Sequence, residues 1–160
     1  MDMICLSIIL GVIATIVMDI FSLLRSYIFR MTSFNYALLG RWFLTLKHGQ
    51  LIHDSIILSQ NKKHEKMIGW ILHYLIGILL SYVYLITKLY FDNSNLFLIA
   101  IPFGLVTMLI PLLIMQPLLG FGFFASKTPN PIKSIQNSTF AHLSFGIGLY
   151  LADVISRDIF

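Results

Sequence analysis

The chain has 160 residues, 58% of them hydrophobic and only 11% charged, with 11 Lys and Arg against 7 Asp and Glu. Soluble domains carry about 25% charged residues, and at a mean hydropathy of +0.85 too little polar surface remains to cover a water-soluble body. The composition therefore indicates one compact integral membrane domain, all-α, and excludes a soluble basic face for a nucleic-acid partner. The single Cys5 excludes an internal disulfide and a Cys-only metal site.

Four segments reach about 20 residues, the length that a hydrocarbon core of roughly 30 Å requires of a helix. The first, 4–24, lacks a basic start and has no small-residue cleavage site after its long apolar run, so it reads as a retained span. The connection 25–67 follows. Within it, Asn35–Leu58 is apolar but broken by Arg41, Lys47, His48, His53 and Asp54. Those charges, with Trp42 and Phe43, fit a short interfacial or re-entrant helical segment better than a fifth span. Ser59–Lys66 reads as a solvated basic turn.

The second span covers 68–90 and the third 96–119, where Pro111 and Pro117 remove backbone donors and are expected to kink or end the helix. The connection 120–133 contains Gly120-x-Gly122-x-x-Ala125. With no strand before it, this is not a dinucleotide loop. The fourth span, 134–155, completes a four-helix bundle. Nine of the Lys and Arg fall in the connections 25–67 and 120–133, and only Lys88 and Arg157 lie on the opposite side. That asymmetry places both termini on the non-cytoplasmic side.

Polar groups inside spans are costly and normally face the protein interior. Asp19, His73, Gln116 and His142 supply one such group per span. At about 1.5 Å per residue they lie about 8, 8, 5 and 12 Å from the cytoplasmic helix ends, so all four are expected in one cytoplasmic-side layer. Spacings of three and four support inward faces. They join Trp70, His73, Gly77, Tyr84 and Lys88 in the second span, and Ser138, His142, Gly146 and Asp153 in the fourth. Ser7, Gly11, Thr15 and Asp19 form the same row in the first. Small residues at that spacing let helices approach closely, within the chain or in a homo-oligomer.

The stretches ATIVMD (Ala14–Asp19), GRW (Gly40–Trp42), EKMIGWILHY (Glu65–Tyr74), MQPLLGFG (Met115–Gly122), SKTPNP (Ser126–Pro131) and HLSFGIGLY (His142–Tyr150) resemble the bacterial membrane-protein family DUF2938, a domain of unknown function. The resemblance runs in order over nearly the whole chain. It implies a small multi-pass protein of the bacterial inner membrane and brings no established activity, substrate or cofactor. The family's characteristic positions map onto Asp19, Arg41, Trp42, Glu65, Trp70, His73, Gln116 and His142. Phe123 and Phe124 are bulkier than the small residues expected in that loop.

Three functions follow. The leading one is binding or transport of a small solute or ion at a polar site of Asp19, Arg41, Trp70, His73, Gln116 and His142, under a lid holding Arg41, His48 and His53. Asp19, His73 and His142 could hold a transition metal, relay protons or, through the two histidines, grip a haem. The sequence requires neither cofactor, and no zinc spacing is present. The alternative is an assembly subunit in which these residues are interhelical hydrogen-bond glue, each bond contributing about 0.6–2 kcal/mol. A lipid-acting enzyme using Glu65 or His73 as acid/base lacks a nucleophile or paired carboxylates, so no catalytic residue is assigned.

Overall fold

In the computed structural model the described residues, 2–30, 33–91 and 95–159, contain helices and no strand. Residues 31–32 of the first connection and 92–94 of the second lie outside them. Helix α1 (Met3–Phe29) continues past the expected end at Leu24 and stops at Arg30, which takes the left-handed conformation at φ 51°. Arg25, expected in the connection, therefore belongs to the helix. Tyr27, Ile28 and Phe29 after it are apolar again, and the hydrogen-bond ladder runs through the single charge at Arg25 to Phe29.

Helix α2 (Tyr36–Leu46) opens where the Asn35 carboxamide oxygen accepts the Ala37 N–H at 3.1 Å. Its 11 residues extend about 16 Å, half of a hydrocarbon core. Residues 36–58 thus contain a short helix and a non-helical continuation, not a fifth span. Helix α3 (Glu65–Lys88) starts earlier than Ile68 because Glu65 accepts the Lys62 N–H at 2.8 Å and closes the first turn.

Helix α4 (Leu96–Thr107) leads into a widened π turn, Pro111–Met115, and a last short turn, α5 (Gln116–Leu118). The Gln116 N–H donates to the Pro111 carbonyl, five residues back. Pro117 lacks an N–H, and its ring would collide with the carbonyl four residues earlier. A wider turn relieves that collision, which is the form the expected interruption takes. Helix α6 (Pro131–Ile159) begins before Ser134, with Pro131 in the first turn and the Asn130 side chain accepting the Lys133 N–H at 3.0 Å. Among the described residues four stretches, Met3–Phe29, Glu65–Lys88, Leu96–Leu118 and Pro131–Arg157, are long and apolar enough to cross a membrane.

The chain divides into two compact units. The first comprises Met1–Thr32, Tyr74–Met108 and Thr139–Phe160. Its core is Leu10, Ala14, Tyr84, Leu85, Ile99, Ala100, Phe145, Leu149 and Ala152. Helices touch backbone to backbone there: a Cβ on Gly104 would stand 2.6 Å from the Gly146 Cα, and one on Gly148 would stand 2.6 Å from the Ala14 Cα. Gly11 meets α3 at Gly77 and Ile78 in the same way. The row Ser7, Gly11 and Thr15 is buried as expected.

The second unit comprises Ser33–His73 and Leu109–Ser138. Helix α2 crosses the start of α3 at Gly40 and Gly69, where a Cβ on either glycine would overlap backbone of the other helix. The segment after α2 then satisfies the carbonyls freed at the end of α5. The His53 N–H donates to Leu118 O and the Ile56 N–H to Leu119 O, both at 3.0 Å. Ile56, Leu112, Leu119 and Ala125 are fully buried in this unit.

Candidate functional site

The first unit holds a charged cluster among apolar helices. Asp153 on α6 is 1% exposed. Its carboxylate accepts the Lys88 ammonium through both oxygens, at 2.7 and 2.5 Å, and the Tyr84 hydroxyl at 2.7 Å. Tyr84 and Lys88 lie four apart on α3, so one helical face presents both to α6. Arg157, one turn further along α6, adds a longer contact at 3.8 Å. The Lys88 ammonium also stands 5.6 Å from the Tyr84 ring centroid.

Asp19 and His142 belong to the same unit. Asp19, half-buried on α1, accepts the Tyr74 hydroxyl of α3 at 3.1 Å. His142 on α6 meets Thr107 of α4, Nδ1 to Oγ1, at 2.8 Å. Because the Thr107 hydroxyl donates to the Gly104 carbonyl at 2.6 Å, the imidazole must be the donor in that pair, which puts a ring proton on Nδ1. Between these sites the Ser81 hydroxyl donates to the Ser7 carbonyl. Helix α3 thus meets two carboxylates through two tyrosines ten residues apart, a rise of about 15 Å.

The second unit is organised around Arg41. Its Nε and Nη2 form a two-pronged pair with Glu65 at 2.9 Å each. Nη1 donates to Ile56 O at 3.0 Å and Ser59 O at 2.9 Å, and Nη2 also reaches the Asn61 side chain at 2.5 Å. Every donor nitrogen is therefore engaged within the chain, and the paired Glu65 carboxylate raises the Arg41 guanidinium further above its ordinary value. Arg41 clamps residues 56–61 and the start of α3, and no donor nitrogen is left over for a ligand. Glu65, considered as an acid/base, spends both oxygens on this clamp.

His53 is 2% exposed. Its Nε2 meets Thr45 Oγ1 at 2.9 Å and its Nδ1 meets Ser59 Oγ at 3.3 Å. Thr45 donates its own proton to the Trp42 carbonyl at 2.6 Å, so the neutral ring carries its proton on Nε2. Burial pushes this imidazole below its ordinary value, partly opposed by Asp54. His48 is exposed. The Trp42 indole N–H donates to Leu51 O at 2.8 Å and ties α2 to the following segment.

His73 is buried and stacks on the Tyr36 ring at 4.0 Å between centroids. Trp70 presents its ring edge-on to His73 at 5.8 Å, and is itself partly exposed. The Gln116 carboxamide oxygen is buried without a hydrogen-bond partner, directly after the π turn. Of the residues singled out by sequence, Asp19 and His142 thus lie in the first unit, and Arg41, Trp70, His73 and Gln116 in the second.

Among the described residues no group of three or more His, Cys, Asp or Glu converges to hold a metal ion, so a metal at Asp19, His73 and His142 rests on residue type alone. The Lys88–Asp153–Tyr84 cluster escaped the sequence reading as a site. Its signal was present, since Asp153 shares the inward row of His142, and Lys88 that of His73. No curated protein and no solved structure matches the chain. A family model described as Protein of unknown function (DUF2938) matches residues 8–156, and the chain belongs to that family.

Proposed function

We propose that this is a multi-pass protein of the bacterial inner membrane, both termini on the non-cytoplasmic side, that binds or transports a small solute or ion. The observation that carries this reading is Asp153, buried among apolar helices with Lys88 and Tyr84 as partners. A buried ion pair is a poor stabiliser compared with apolar residues of similar volume, and ionisable groups inside apolar helices mark working sites by default. Asp19 and His142 in the same unit extend the set of ionisable groups. Trp70, His73 and Gln116 join this reading on sequence grounds, and the nine basic residues within 25–67 and 120–133, in the connections and the helix ends beside them, support the orientation.

The test is charge movement across a supported membrane carrying the reconstituted protein, stepped through pH and small inorganic and organic ions. Wild type is expected to respond to at least one step, and Asp153→Asn to lose the response about tenfold or more. Interhelical glue is the second reading, favoured by the partners that Asp19, His142 and Asp153 already have inside the chain. It predicts no charge movement in wild type and a lowered unfolding midpoint as the only effect of Asp153→Asn.

A further inference from the structure

Arg25 lies on α1, four residues before the helix ends at Phe29, about 6 Å from that end. Its guanidinium carbon stands 5.4 Å from the centroid of the Phe140 ring on α6, within the same unit. Its Nη1 is buried and has no hydrogen-bond partner, and no ion pair forms at Arg25 among the described residues. The carboxylate nearest along α1, Asp19, already takes the Tyr74 hydroxyl.

Two other guanidinium groups are treated differently, while that of Arg30 lies exposed at the end of α1. Arg41 has an acceptor for every nitrogen, and Arg157 faces Asp153. Arg25 as a whole is half-buried, but its buried Nη1 has lost water without gaining an acceptor, which costs a charged donor more than a neutral one. A planar guanidinium resting on an aromatic face keeps its N–H fork in one plane, and that fork matches the oxygens of a tetrahedral anion. At about 6 Å from a helix end the fork would stand near the depth of lipid headgroups if α1 crosses a bilayer.

We propose that Arg25, backed by Phe140, is a phosphate-binding site, independent of the transport reading. The phosphate can come from an anionic lipid headgroup or from a soluble phosphate, and one experiment separates the two. The full chain, stripped of lipid in a sugar-headgroup detergent, is titrated either with phosphatidylglycerol or with inorganic phosphate against chloride at matched ionic strength. The unfolding midpoint is read in each arm.

A saturable rise in the phosphatidylglycerol arm alone assigns the headgroup, and a rise with inorganic phosphate assigns the soluble anion. Arg25→Gln is expected to weaken the apparent affinity about tenfold or more. Arg25→Lys, which keeps the charge and loses the fork, is expected to fall between, and the exposed Lys63→Gln to behave as wild type. No saturable response of wild type in either arm, or an Arg25→Gln response equal to wild type, overturns the proposal. Should Arg25→Gln not fold, Arg25→Lys decides: affinity equal to wild type overturns it equally.

Discussion

A histidine buried among hydroxyl groups titrates differently from one in water. His53 is held neutral by burial against Thr45 and Ser59, with only partial opposition from Asp54. As pH falls, the unfolded chain takes up this proton first, near the ordinary value of about 6.5, while the native imidazole stays neutral. The contribution is therefore complete above about pH 6.5 and lost as pH falls through the lower native value. An unfolding midpoint followed from pH 8 to 5 is expected to show this decline, and His53→Gln to flatten that part of it. The type of residue at 53 was visible in sequence; its hydrogen-bond partners were not, because Thr45 and Ser59 reach it only once α2 and the segment after it have folded together.

At the scale of elements, glycine decides where helices can touch. Gly69 packs against the carbonyl of Tyr36 in α2, and a methyl there has no flexible side chain to push aside. Gly69→Ala is expected to cost about 1–3 kcal/mol or more through overpacking. Gly49 offers a contrast, with open space around it but φ at +74°. Gly49→Ala is expected to cost only about 1–2 kcal/mol, from backbone strain alone. Denaturant unfolding of both variants checks the order; a larger loss at Gly49 would contradict the close crossing of α2 and α3. The spacing of Gly77 and Gly146 already marked contact faces in sequence. Gly40 and Gly69 escaped that reading because no repeat connects α2 to α3, and only the tertiary crossing reveals their role.

For the whole molecule, the distribution of charge bears on orientation. Lys63 is exposed in the basic segment before α3, so the proposed topology puts it on the cytoplasmic side. In a Cys5→Ser background, Lys63→Cys is expected to react with a membrane-impermeant thiol reagent in inside-out vesicles and to be protected in intact spheroplasts. The reverse pattern would invert the topology and move the termini to the cytoplasmic face.

Four long apolar helices, a break near Pro111 and Pro117, and a charged 36–58 segment too polar to span were all legible in the chain itself. Those features follow from local composition: hydropathy, missing N–H groups and the cost of desolvating charge act on each segment alone. Which polar groups meet is a different matter. Periodicity put Lys88 and Asp153 on inward rows, yet their pairing depends on how α3 and α6 are rotated and shifted against each other. The same holds for Arg41, whose acceptors lie 15 to 24 residues away along the chain. Side-chain partners in an apolar interior are chosen by packing, and packing is settled only when the helices come together.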